Sequence, residues 1–523
     1  MHRRSLLGGA AAVGFAAPAL AQGAANTLRV IPQANLTSLD PVWTTAVVTR
    51  NHGMMVFDHI CAVDEAGVPR PQMADGWVIE DDGKSWTFTL RDNLFFHDGE
   101  RVLAKDCVAS IKRWAARDTF GQVLWSATEE LTALDDKRFR FRLKHAFPTL
   151  ALAMGRSQGP VPVMPERIAN TDPNTQIREA IGSGPFRFVA NEWNPGQKAV
   201  WAKFDRYVPR NEPISGLAGG RVPRLDRVEW TVISDPSTAA SSMQTGEQDY
   251  WEYPLHDLLP LMRRNRQLVV QQRLQNGTYG ALRFNHLHPP FNNVAIRRAV
   301  AMAVDQRDYL RAVAGEDPAG WSVCEGVFTC GTPLANEEGS DILKIHSVER
   351  AKAALAAAGY NGERVVLIAP GDYPQINAIS LVTADLLRRL GMNVEVQSVD
   401  WGTLVQRRTS REPVERGGWS VVHTTASGDA LDLPVVHLFL RANGPNAWFG
   451  WPQDDEIERL RAAWLVAPDE DAAKAVARQL NARAMEVLPY IPVGFYWQPS
   501  VWRRNVTGVF RSPATVFWGL GKG

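Results

Sequence analysis

Large apolar residues alternate with threonine in "WTFTL" from Trp86 to Leu90, the two-residue period of a half-buried strand. "DNLFFHDGER" follows as a turn built on Asp98-Gly99, and Val108, Ile111, Trp114 and Ala115 then recur at helical spacing from about Lys105. The opening third therefore reads as strand, turn, helix. Further short strands are predicted at "LRVIP", "RFRFRLK", "GPFRFVANEW", "KAVWAKF" and "RVEWTVI", separated by Pro/Gly turns. From Asn285 to Met485 the rhythm changes. "NNVAIRRAVAMAVDQRDYLRAV" predicts one long helix, and "SVERAKAALAAAG" a compact one capped by Ser347 and ended by Gly359. "RVVLIA", the helix through "AISLVTADLLRRLG" and "MNVEVQSV" then form strand, helix and strand, which implies a parallel βαβ unit. Strand-like alternation resumes in "YIPVGFYWQPSVWRRNVTGV". A strand-rich part divided around an α/β insert suggests two lobes joined more than once.

Composition narrows the partners. With 57 Lys+Arg against 56 Asp+Glu, the 523-residue chain has no cationic surplus for nucleic acid. Its 18 Trp against 9 Tyr suggest sites where flat apolar surfaces face a ligand. "MHRRSLLGGAAAVGFAAPALAQ" joins a basic start to an apolar run and the small-residue ending Ala19-Leu20-Ala21, the pattern of a twin-arginine export signal cleaved near Ala21. No later apolar run is long enough to span a bilayer. An exported chain permits disulfides. Of the three complete pairings open to four cysteines, the loop-like stretch around "EGVFT" favours Cys324–Cys330, while Cys61 and Cys107 lie in apolar surroundings, as buried thiols or as a second bridge.

Candidate chemistry is sparse. His97-Asp98 could be an acid/base pair, half of a metal site, or a turn; Gly182-Ser183-Gly184-Pro185 lacks the pattern of a phosphate loop or nucleophile elbow. His286 and His288 have no neighbouring carboxylate cluster. Trp448, Phe449 and Trp451 crowd one Gly-rich loop and could form a stacking wall or cap a core.

Several stretches, in order, resemble extracellular solute-binding protein family 5, which serves peptide- and nickel-type ABC transporters. They are "LTSLDP", "PQMADGWVIEDDGKSWTFTLRDNLFFHDGERVLAKDCVASIKRW", "IGSGPFRFVANEW", "SSMQTGEQDYWEY", "LRFNHLHPPFNNVAIRRAVAMAVD" and "SVERAKAALAAAGY". The resemblance implies an α/β, two-lobed periplasmic-binding-protein fold of type II, in its large three-subdomain class. It implies a lobe I core from residues 22–55, 181–284 and 488–523, an accessory subdomain at 56–180, and lobe II at 285–487. His97 and Asp98 then belong to a structural turn. The expected function is capture of a peptide or peptide-like solute between closing lobes for an inner-membrane permease and ATPase. A non-peptide organic solute is the alternative, an aromatic, an opine or an oligosaccharide; a nickel or metal-chelate carrier and an exported hydrolase rank behind it. A periplasmic monomer without cofactor, metal or catalysis is expected.

Carried over residue by residue, the resemblance implies a ligand site of Asn35, Leu36, Tyr279, Trp401, Arg408 and Trp419, to which the aromatic loop adds Trp448 as a stacking candidate. Peptide-binding relatives hold the ligand's ammonium with an aspartate three residues after the Gly-Trp pair. This chain has Val422 there, and Asp429 and Asp432, the only carboxylates in "HTTASGDALDLP", are the candidates to turn inward and hold a ligand amine; if both face solvent, the ligand has no free amino terminus.

Overall fold

The computed structural model describes residues 26–273, 277–467 and 469–523, so the export-signal reading lies outside the described residues. Three sheets carry the architecture. The first is seven-stranded, in the order Leu268–Gln272, Pro499–Arg503, Tyr250–Trp251, Thr27–Ile31, Arg227–Thr231, Lys198–Lys203 and Phe186–Phe188. Thr27–Ile31 runs parallel to both of its neighbours. The second is an antiparallel four-stranded sheet made by Ala74–Glu80, Ser85–Leu90, Arg138–Leu143 and Thr128–Ala133. Trp86, Phe88 and Leu90 are buried and the residues between them less so, as the alternation of "WTFTL" requires.

The six-stranded third sheet runs Trp321–Ser322, Ile491–Tyr496, Thr278–Phe284, Val421–Ser427, Arg364–Pro370, Asn393–Val399. Arg364–Pro370 and Asn393–Val399 pair in parallel across the helix Pro374–Arg389, giving the expected βαβ unit. Two strands assigned by sequence to lobe I belong here. Thr278–Phe284 is buried at all seven positions, and it obtains a neighbour on each side from Val421–Ser427 and Ile491–Tyr496. The lobe boundary thus moves from 284/285 to before Thr278, and from 487/488 to after Tyr496. Near the second crossing, the Gln498 amide donates to Pro254 O at 2.9 Å and the Gln375 amide donates to Tyr253 O at 3.3 Å.

The long helix expected after "NNVAIRRA" is two helices, Val294–Ala301 and Gln306–Ala314. Asp305 interrupts it, because its carboxylate accepts the Arg307 N–H and starts the second helix as an N-cap. Ser347 caps Val348–Ala357 as expected, and Gly359 follows at φ 83°. Cys324 and Cys330 are disulfide-bonded, with Cα atoms 6.0 Å apart. Cys61 and Cys107 are unpaired and buried, which pushes both thiols up. Among the described residues no helix is long and apolar enough to cross a membrane.

Candidate functional site

A cavity of about 660 Å³ lies between the lobes. One wall comes from residues 41–54, where the helix Val47–Val56 begins, together with segments near Asp118 and Arg156. The other comes from lobe II: Tyr373, Trp401, Arg408, Thr424 to Ala426, and the loop of Trp448, Phe449 and Trp451.

Local sequence explains how lobe II presents its side chains. Asp400 ends the strand Asn393–Val399, and its carboxylate accepts the Thr403 N–H, starting the helix Trp401–Arg407. Trp401 is the first residue of that helix and Arg408 its C-cap, so seven residues place both on one face. The Asp372 carboxylate accepts the Trp401 N–H at 2.7 Å, and the Tyr373 ring meets the indole edge-on. Behind the helix, the indole N–H of Trp419 donates to the Arg408 carbonyl at 3.1 Å.

Arg408 is 2% exposed, and its guanidinium carbon lies 5.8 Å from the Trp401 ring centre, 5.3 Å from Trp448 and 4.9 Å from Phe449. Its Nη2 donates a long 3.4 Å bond to the Thr44 hydroxyl of the opposite lobe. Nε has no partner. Burial, with no carboxylate to offset it, lowers the group to about 9. Other buried polar atoms on this lining are also unpartnered: both ends of the Gln33 amide, Arg50 Nη1, Arg156 Nε and Trp401 Nε1. Five arginines (50, 117, 156, 408 and 411) line the cavity against one carboxylate, Asp118, which pairs with Arg156.

Hydrogen bonds span the cleft. Trp448 Nε1 donates to Thr45 Oγ1 at 3.3 Å, and the Gln158 amide donates to Ser427 Oγ at 3.0 Å. Arg441 donates to Gln122 and the Ser157 hydroxyl to Asp429.

Trp401, Arg408 and Trp448 therefore line this cavity, and the other residues named from the sequence lie elsewhere. Asp429 and Asp432 line a neighbouring cavity of about 410 Å³, which shares Arg156, Gln158 and Val436 with the first. Asp429 accepts hydroxyls from Ser157 and Ser427. Burial, reinforced by the charge of Asp429, raises Asp432 to about 7. Trp419 is 1% exposed and sits in the core, supporting Arg408 from behind. Tyr279 is also a core residue: it stacks on Phe495, and its hydroxyl accepts the Cys330 N–H at 3.0 Å, anchoring the disulfide loop. Leu36 is packed in the lobe I core, and the Asn35 amide oxygen accepts the Gly196 N–H, so neither lines the cleft. Gln33, Thr44, Thr45 and Arg50 supply that wall instead. A sequence signal for Arg50 existed: a charged residue inside the apolar stretch "AVVTRNHGMMVF".

The histidines singled out in the sequence, His97, His286 and His288, make bonds within the fold. His97 bonds the carbonyl of Gly184 at 3.0 Å through Nε2, while the Asp98 carboxylate accepts the Glu100 N–H and pairs with Arg167. His286 and His288 bond the carbonyls of Pro489 and Arg411. Among the described residues no group of three or more His, Cys, Asp or Glu is placed to hold a metal ion.

Residues 68–445 match the family model of the bacterial extracellular solute-binding proteins, family 5. The chain belongs to this family. It is 36% identical to a probable peptide ABC transporter periplasmic-binding protein of Sinorhizobium fredii, over 100% of this chain and 99% of that one. It is 25% identical to the dipeptide-binding protein DppE of Bacillus subtilis, over 85% and 82%. Among solved structures, the periplasmic binding protein AgaA of A. tumefaciens R10 in complex with agropinic acid superposes with a TM-score of 0.79 at 22% identity, covering 95% of this chain and 99% of that one. A dipeptide-binding protein of Pseudoalteromonas sp. SM9913 with Met-Leu superposes at 0.77 and 20%, with the same coverage. This family 5 chain thus has the two-lobed type II fold.

Proposed function

We propose that this protein is the periplasmic receptor of an ABC importer, holding a peptide or peptide-like solute between its lobes and handing it to an inner-membrane permease and ATPase. The observation that carries this reading is the interlobe cavity, which falls in the size range of small-molecule pockets and is walled by indoles and unpartnered polar atoms. The names of the relatives, a peptide transporter's binding protein and a dipeptide-binding protein, support the peptide class. An opine-type solute is the second reading, favoured by the arginine surplus on the lining and by the fold's likeness to AgaA with agropinic acid. The protein acts as an exported monomer whose signal is removed near Ala21, and it changes nothing in the solute.

Ligand stabilises the closed form because it contacts both lobes, so the test is closure. Adding the cognate solute to ligand-free protein shrinks the radius of gyration in solution scattering. At 100 times Kd it adds about 2.7 kcal/mol of stability. Conversion of the solute into a product would overturn the transport-only reading.

A further inference from the structure

We infer that Gln33 is a specificity-determining residue on the lobe I wall, whose side-chain amide reads a group of the solute that offers C=O and N–H on one edge: a primary carboxamide or a lactam. The inference rests on the interlobe cavity being the solute site.

Two other buried glutamines of this chain use both ends of their amides. Gln306 donates to the carbonyls of Cys324 and Pro492 at 2.9 and 3.0 Å, and its oxygen accepts the Cys324 N–H at 2.8 Å. Gln498 donates to the carbonyls of Pro254 and Pro499, and its oxygen accepts the Gln375 amide at 3.4 Å. Gln33 is 7% exposed and lines the cavity, yet neither Nε2 nor Oε1 has a partner. Among the described residues it is the only buried side-chain amide left open at both ends. Burying such a group unpaired costs stability, and a solute that pairs with it removes the cost.

The surrounding network holds Gln33 in place. Its backbone N–H donates to Glu252 Oε2 at 2.8 Å, and Glu252 Oε1 accepts the Asn51 amide at 2.7 Å. Asn51 Oδ1 in turn accepts Arg50 Nε and Nη2 at 3.3 and 3.1 Å, which leaves Arg50 Nη1 unpartnered on the same cavity lining. Glu252 and Asn51 are fully enclosed, so Glu252 acts as a positioning residue for both open groups before any solute arrives.

The two open ends select a partner by geometry. Nε2 needs an acceptor and Oε1 a donor, side by side. A trans peptide bond holds its C=O and N–H on opposite edges, so it satisfies one end only. A carboxylate brings acceptors alone and leaves Oε1 facing oxygen. A primary carboxamide or an N-unsubstituted lactam carries both on one edge, and Arg50 Nη1 adds a further donor for the carbonyl.

Titration calorimetry and solution scattering on ligand-free mature protein separate the two sources, with each amide probe set against an apolar probe of matching shape. The pairs are Met-Gln with Met-Met, and pyroglutamyl-leucine with cyclopentanecarbonyl-leucine. At least one amide probe should bind, contract the molecule and exceed its apolar match about 10-fold or more, because the apolar match leaves both ends of Gln33 unpaired. That preference in the first pair identifies a side-chain carboxamide; in the second pair alone, it identifies a lactam. Gln33→Met should abolish or reverse the preference. Ligand-free, this variant should melt at or above the wild-type temperature, whereas a glutamine with a structural role would lower it. Both pairs binding within threefold of each other, or Gln33→Met keeping the wild-type order, overturns the subsite and leaves the cleft as a solute site. No heat and no contraction with any of the four probes overturns both readings.

Discussion

Two cavities lie side by side between the lobes, and their walls are opposite in chemistry. The larger carries four unpartnered arginine and indole donors, Arg50 Nη1, Arg156 Nε, Trp401 Nε1 and Arg408 Nε; the smaller, which shares Arg156, holds Asp429 and Asp432, of which Asp429 is already bonded to two serine hydroxyls. A charge satisfied inside the protein asks little of a ligand. A charge left unsatisfied asks for one, so the reading proposed above puts recognition on the arginine side. The strand that runs along both cavities, Val421–Ser427, has Val422 where peptide-binding relatives are expected to have their aspartate, and the carboxylates reappear beyond its end.

Variants can break this contrast, and the largest expected effects are on affinity. Arg408→Met should weaken an acidic solute about 100-fold or more. Trp448→Ala should cost about 10-fold or more in Kd, since it removes a ring from the guanidinium and the cross-cleft bond to Thr45. Calorimetry with Met-Leu or agropinic acid, whichever binds, reads both. Asp429→Asn and Asp432→Asn should cost less than about 10-fold with the same acid. A 100-fold loss in either would mean that the two cavities act as one site gripping a ligand amine.

A smaller effect appears in the ligand-free protein as a function of pH. Asp432 is raised from the ordinary carboxylate value to about 7, so between roughly pH 4 and 7 the folded state holds more protons than the unfolded one. Stability contributed at this position is therefore lost as pH rises through that window, and the full penalty stands above it. Asp432→Asn should raise the melting temperature at pH 8 by the equivalent of roughly 1–2 kcal/mol, with the gain vanishing near pH 4. A pH-independent gain would remove the charge from the explanation. Smallest of all, for binding, is the disulfide. Replacing Cys324 and Cys330 by serine should cost less than roughly 3 kcal/mol of stability, given the short loop, and leave Kd unchanged.

Much of this was legible in the sequence, and the failures share a cause. The βαβ unit was readable because its strands and helix carry clear periods, and Trp401 with Arg408 because the family resemblance pointed to both; their seven-residue spacing on one helix places them on a common face. Burial alone could not be read: an aromatic such as Trp419 or Tyr279 suits a core as well as a ligand wall, and both went to the core. Asn35 and Leu36 do not line the cavity because the wall is built on either side of them, at Gln33 and at Thr44, Thr45 and Arg50, and local pattern does not say which side chains of an apolar stretch face a cleft. The lobe boundaries shifted because strand pairing is non-local: nothing within "TYGALRF" says which sheet will receive it.

The most direct test of the claim that this cleft selects an anion is the identity of what it carries. Protein purified from its own periplasm, denatured to release the cleft's contents and analysed by accurate mass, is expected to yield a solute bearing at least one carboxylate, in about one copy per chain and absent from Arg408→Met protein prepared in parallel. An uncharged or purely cationic solute, retained equally by the variant, would contradict the account.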